Sequence, residues 1–276
     1  MAVPQTGLQQ ATRPCVLVFA GADPSGGAGI GADVQAVAAL GAHPLSVITV
    51  LTVQDNERVF SVHPVDASLV WQQARVLIDK MPIAAVKIGI VGNRANASVI
   101  ADVIRRLRER QPDLPVVLDP VLASGHGDAL SADDAVQALA PLIALATLIL
   151  PNLPEAARLC GEHDIETQAR LLLARGCRHV LVKGGHGTQD AVFNRWFSAD
   201  QQRCWTWPRL PGAFHGSGCT LASAIAAALA GGLAMAPALE IAQAYCHQAL
   251  ATSYPVAAGQ WMPNRSALWL PDAPVK

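Results

Sequence analysis

Short β-branched apolar runs alternate along the chain with alanine-rich stretches whose apolar positions recur at helical spacing. Residues 15–20 (CVLVFA) read as a first strand, and the glycine loop ADPSGGAG follows. Residues 28–40 have helical spacing and stop at Gly41, a residue suited to a C-cap. Residues 45–53 (LSVITVLTV) read as a second buried strand, 59–63 as a short edge strand and 68–78 as a helix. Residues 84–91 (AAVKIGIV) predict a strand, and Asn93 can cap a helix running to Arg110. Residues 115–118 form a strand ending at Asp119, Ser131 caps the next helix, and 147–150 is a strand ending at Pro151-Asn152. Helices over 154–160 and 166–175 precede Gly176, and 179–183 is a strand. Residues 191–197 and 203–208 read as an antiparallel pair, and 217–231 and 237–254 as the last long helices. The Pro- and Trp-containing tail shows no period.

This alternation implies an α/β fold: one mainly parallel sheet with helices on both faces. No linker or internal repeat divides it, so residues 1–276 read as a single domain with 1–13 as a flexible tail. In such sheets ligands lie beyond the carboxyl ends of the strands. The chemistry should therefore sit at 21–29, 54–56, 89–92, 119–127, 152–155 and 183–187.

Composition narrows the choice. At 51% hydrophobic and 15% charged residues, the 276-residue chain can bury a sizeable core. Twenty basic and 21 acidic residues give a net charge of −1, and no Lys/Arg run marks a nucleic-acid surface. The polar N-terminus is not a secretory signal, and the apolar stretch 221–235, interrupted by Gly231 and Gly232, is a buried helix rather than a membrane span. Six cysteines lack CxxC spacing, which argues against a zinc site and a disulfide framework and points to a reducing cytoplasm. There are only four lysines, so Lys183, inside a glycine motif, stands out.

Four segments carry candidate chemistry. His215-Gly216-Ser217-Gly218-Cys219-Thr220 heads a long apolar helix. Two glycines and a helix N-terminus there can direct backbone N–H groups at a phosphoryl group or an oxyanion. Cys219 in the first turn should have a depressed thiol pKa; the plainer reading is a glycine-rich cap before a core cysteine. Residues 21–29, leading to Asp33, suggest close approach of backbone to a ligand. Gly27-Ala28-Gly29-Ile30-Gly31-Ala32 also fits GxGxxA, with Asp55 beyond the second strand as a ribose-binding acid, so a nicotinamide-dependent oxidoreductase is a rival. Against it, several residues including Pro24 separate the strand from Gly27. Asp119, Asn152 and Glu155 can hold a hydrated Mg²⁺ beside nucleotide phosphates, although Asn152 and Glu155 also read as a helix-capping pair. Lys183-Gly184-Gly185-His186-Gly187 can neutralise phosphate charge or form a solvated turn. His186 and His215 read as loop residues, not metal ligands.

Together GADPSGGAGIGADVQ, SVITVLTVQDN, VKIGIVGN, VVLDPVLASG, LILPNLPEA, VLVKGGH and HGSGCTLASAIAA resemble the hydroxymethylpyrimidine/phosphomethylpyrimidine kinases of thiamine biosynthesis, in the ribokinase-like superfamily. The match runs from about residue 16 to 254. It implies a three-layer α/β/α sandwich, a homodimer, and ATP- and Mg²⁺-dependent phosphorylation of the pyrimidine and its monophosphate. By position, Gly21, Ala28, Asp33, Gln54, Ile90 and Val121 match residues around the pyrimidine. Asn152, Glu155, Lys183, Gly185 and Thr220 match the nucleotide region, and Asp119 and Glu155 the metal. Gly216, Ser217, Gly218 and Cys219 match the anion hole and catalytic cysteine. Sugar kinases of the superfamily have Asp where Cys219 stands; some relatives that keep the cysteine phosphorylate pyridoxal. Three departures stand out: Ile90 for the usual Met, Asp55 for the usual Asn, and a 123–127 loop that carries His126 instead of the family's lysine.

Overall fold

The structure, a computed structural model, describes residues 12–123, 130 and 134–266. Their strands form one nine-stranded sheet, with order β3-β2-β1-β4-β5-β6-β7-β8-β9. These are β1 (Cys15–Ala22), β2 (His43–Gln54), β3 (Val59–Pro64), β4 (Ile83–Ile88), β5 (Val116–Leu118), β6 (Leu148–Ile149), β7 (His179–Val182), β8 (Ala191–Phe197) and β9 (Gln202–Pro208). Strands β2, β1, β4, β5, β6 and β7 run parallel; β3, β8 and β9 join antiparallel at the two ends.

Period-two alternation builds the layers. Leu17, Phe19, Val86, Ile88, Val116 and Leu118 face one core, packed on α2 (Ala67–Ile78), α3 (Arg94–Arg108), α4 (Ala135–Ile143), α5 (Leu153–Cys160) and α6 (Ile165–Ala174). Their neighbours Val16, Val18, Ala20, Ala85 and Val117 face the opposite core, against α1 (Gly29–Ala39), α7 (Ser217–Ala230) and α8 (Met235–Ala251). Strands β1, β4 and β5 are thus covered on both faces, as central parallel strands require. The three-layer α/β/α sandwich matches the sequence reading.

Helix ends follow their caps. Asn93 accepts from Asn96 N at the head of α3. The cap placed on Ser131 lies outside the described residues, and Asp134 caps α4. Helix α8 stops at Ala251, short of residue 254, because Tyr254 exchanges backbone bonds with Met262. No helix among the described residues is long and apolar enough to cross a membrane.

Candidate active site

Beyond the carboxyl ends of the parallel strands lies a cavity of about 570 Å³. Gly21, Ala28, Gln54, Ile90 and Val121 line it, as do Asp119, Asn152, Glu155, Lys183 and Gly185. Gly216, Ser217, Gly218 and Cys219 complete the group, so residues far apart in the chain line one cavity. The strand order sets their sequence along the sheet edge: Gln54 ends β2, Ile90 follows β4, Asp119 follows β5 and Lys183 follows β7.

The turn before α7 is the most constrained part. Gly216 is the N-cap, at φ 70° and ψ 23°, in the left-handed region. A Cβ there would stand 2.1 Å from Gly27 O, so the two glycine loops touch backbone to backbone. Two residues on, a Cβ on Gly218 would lie 3.3 Å from Lys183 Nζ and 3.4 Å from Asp119 Oδ2. The head of α7 therefore opens directly onto the Lys183–Asp119 ion pair, whose N···O distance is 2.7 Å. Burial works against the Lys183 ammonium, but Asp119 and Glu155 hold it above its ordinary range. Glu155 is buried and closes a capping box with Asn152, each side chain accepting the other's backbone N–H at 2.8 Å. The capping reading of this pair is right, and both residues still line the cavity. Burial raises the Glu155 carboxyl to about 7, against the pull of Lys183.

Three sequence-based assignments change. Asp33 is fully buried and does not reach the cavity. Its carboxylate accepts Lys87 Nζ at 2.8 Å on both oxygens and Ser223 Oγ at 2.7 Å. It is therefore the counter-ion of Lys87, not a substrate contact. Burial raises the Asp33 carboxyl against the pull of Lys87 and Ser223, and Asp33 in turn holds the Lys87 ammonium above its ordinary range despite the cost of burial. Thr220 is also fully buried; its hydroxyl donates to Gly216 O at 2.9 Å and accepts from Arg265 Nε at 2.7 Å, so it braces the turn from behind instead of touching nucleotide. Finally, the Cys219 thiol is not depressed. Although it faces the cavity, protein surrounds it, and burial pushes it up to about 11, with Lys87 pulling the other way. The 123–127 loop, with His126, lies outside the described residues from Ser124 on.

Sequence reasoning missed the parts played by four residues, two of them, Asp23 and His215, inside segments it had marked. Lys87 could have been noticed, as a lone charge inside an apolar strand. Asp23 and His215 join the two glycine loops through a 2.9 Å contact. Burial works against the Asp23 charge, but His215, the Ser25 side chain and the Ala28 amide hold it below the usual carboxylate range. Arg265 lies in the tail that showed no pattern.

A model of the phosphomethylpyrimidine kinase family matches residues 23–264. The chain belongs to this family. A hydroxymethylpyrimidine/phosphomethylpyrimidine kinase of Rhizobium meliloti is 39% identical over 257 residues, 88% of this chain and 93% of the relative. One of Streptomyces coelicolor is 37% identical, over 90% of this chain and 93% of the relative. Among solved structures, a Bacillus subtilis pyridoxal kinase in complex with ADP superposes with a TM-score of 0.82 at 26% identity, covering 93% of this chain and 99% of that one. A phosphomethylpyrimidine kinase of Clostridium difficile gives 0.73 at 30% identity, over 86% of this chain and all of the other. This member of the phosphomethylpyrimidine kinase family is thus a kinase of ribokinase-like fold. Kinase chemistry replaces the oxidoreductase reading. Asp55, its proposed ribose acid, instead accepts the backbone N–H groups of Glu57 and Arg58 through Oδ1.

Proposed function

We propose that the protein transfers a phosphoryl group from ATP to the hydroxymethyl group of 4-amino-5-hydroxymethyl-2-methylpyrimidine, and a second to the resulting monophosphate. One observation carries the reading: the glycine turn of Gly216–Cys219 opens beside Lys183 and Asp119 on a cavity that also holds Gln54. The loose transition state of phosphoryl transfer spreads charge over the equatorial oxygens, so oriented donors and cations supply most of the catalysis. The N–H groups of Gly216–Cys219 would receive the terminal phosphoryl, and Lys183 would neutralise its charge. Gln54 can pair with a ring nitrogen and the exocyclic amine, rejecting analogues that lack them. Cys219 would meet the substrate hydroxymethyl.

Asp119 and Glu155 are buried oxygen donors, and no cluster of three or more His, Cys, Asp or Glu among the described residues could hold a metal. Two carboxylates suit Mg²⁺, which keeps several waters and takes the rest of its shell from substrate phosphates. When bound, the ion would neutralise charge on the transferring phosphates. The whole chain acts as one kinase domain in this reading. Six free cysteines among the described residues support a cytoplasmic setting. Exposed Leu51, Val53 and Phe60 on the edge hairpin support a homodimer.

The test is mass-spectrometric product analysis with ATP, magnesium and the hydroxymethylpyrimidine, counting phosphates added. Two confirm both steps; one confines the enzyme to the first; none removes the reading. Pyridoxal is the second candidate substrate, favoured by the close superposition of the Bacillus subtilis pyridoxal kinase. The ratio of kcat/KM values for the two heterocycles decides between them.

A further inference from the structure

The segment after α8 carries no periodicity, yet it is built into the site. Trp261 N donates to Ala213 O at 2.8 Å, and His215 N donates to Trp261 O at 2.9 Å. Asn56, in the loop after β2, donates through Nδ2 to the carbonyls of Ala258 and Gln260 at 2.9 and 3.1 Å. The segment therefore bridges the Gln54 loop and the turn before α7, and it delivers Arg265, 2% exposed, beneath that turn.

Arg265 binds main chain there. Its Nε donates to Thr220 Oγ1 at 2.7 Å. Its Nη2 donates to Gly27 O, approaches His215 O at 3.3 Å, and reaches Gly216 O at the 3.5 Å limit. Tyr245 Oη holds the residue's own carbonyl at 2.9 Å. No carboxylate among the described residues forms an ion pair with it. A buried cation without a counter-ion is costly, so its position calls for a compensating role.

Peptide geometry indicates that role. All described peptide bonds are trans, so each C=O points opposite to the N–H of the same unit. Arg265 gathers the carbonyls of Gly27, His215 and Gly216, which turns the N–H groups of Ala28, Gly216 and Ser217 away from it. The first of these is accounted for: Ala28 N donates to Asp23 Oδ2 at 2.7 Å, and that oxygen also meets His215 Nε2 at 2.9 Å. This closes a ring from Arg265 through both glycine loops and back. The other two belong to residues that line the cavity.

We propose that Arg265 is a positioning residue for phosphoryl transfer, fixing the amides of Gly216 and Ser217 toward the terminal phosphoryl and locking the turn onto Gly27. The proposal deepens the kinase reading and rests on it. The experiment compares the parent with Arg265→Ala and Arg265→Lys. Disordering preorganised donors should lower kcat of Arg265→Ala by at least about 30-fold while KM for the pyrimidine stays within about threefold. Lysine keeps the charge but cannot span three carbonyls, so Arg265→Lys should still lose about tenfold in kcat. Added guanidinium, but not ammonium, should restore Arg265→Ala at least about fivefold. Calorimetry with a non-hydrolysable triphosphate should show affinity for Arg265→Ala reduced at least about fivefold, and it decides the matter even if the parent proves inactive on the pyrimidine. A folded Arg265→Ala with parental kcat and triphosphate affinity overturns the proposal. A loss of kcat that guanidinium does not rescue, with KM rising in parallel, also overturns it, because a merely structural role predicts that. Should Arg265→Ala fail to fold, parental kcat in Arg265→Lys overturns it.

Discussion

Cys219 stands in the first turn of α7, where the helix N-terminus favours a thiolate, yet surrounding protein lifts the thiol to about 11. At neutral pH it is a neutral S–H, so in the kinase reading it would hydrogen-bond and orient the substrate hydroxyl and not act as its base. Cys219→Ala should then lower kcat by about 100-fold through misplacement of that hydroxyl, and near-parental turnover would remove the residue from catalysis. Alkylation of Cys219 should be slower near pH 8 than that of exposed Cys204 and climb with pH, read by peptide mass mapping. Glu155 gives a second handle. Its folded carboxyl sits near 7, above the ordinary 4.5. The folded state therefore holds this proton more tightly; the resulting stability is full below about pH 4.5 and lost as pH rises through about 7. In metal-free protein, Glu155→Gln should be more stable than the parent near pH 8, on the order of 2 kcal/mol, with the gap closing toward pH 5. A gap in Tm that does not change with pH would contradict this. Residue identities of this kind were partly legible. Lys183, Glu155 and Cys219 are rare or motif-bound residues at strand and helix ends. The burial that inverts the Cys219 prediction, and the pairing of Asp33 with Lys87 across 54 positions, depend on packing that no local pattern encodes.

At the scale of elements, the turn before α7 works because two glycine loops share one close contact. Gly216→Ala combines a left-handed backbone with a Cβ 2.1 Å from Gly27 O and 2.9 Å from Ala28 Cα, and these backbone atoms cannot swing aside as a side-chain end can. The variant should lose at least about 3 kcal/mol and most of its activity. Gly161 is the control. It caps α5 at φ 71°, and a Cβ added there would meet nothing within 4 Å, so Gly161→Ala should lose only about 1 kcal/mol and keep its turnover. Equal losses by thermal denaturation in the two variants would show that conformation, not the contact between loops, dominates. The strands and helices were readable because each is short, strongly patterned and punctuated by Asn93, Gly41 or Gly176. The tail was not: it is held by two bonds from the Asn56 side chain and by main-chain bonds with Ala213 and His215, which leave no periodic signature.

For the whole molecule, the sheet leaves its β3 edge without a neighbouring strand among the described residues. Beside that edge, Leu51 and Val53 on β2 are each 52% exposed and Phe60 on β3 is 68% exposed. Large apolar groups clustered on one edge hairpin invite association, since an open, apolar strand edge is a template for pairing. The same hairpin carries Gln54 and leads into the loop whose Asn56 anchors the Arg265 segment, so covering it would also steady the substrate end of the cavity. Light scattering should therefore give a mass near twice the 28.9 kDa of the chain. Phe60→Asp combined with Leu51→Lys should shift it to the monomer. If dimerisation supports the site, that monomer should show KM for the pyrimidine raised at least about threefold, with a smaller change in kcat. A parent chain that runs as a monomer at micromolar concentration would rule out this use of the edge.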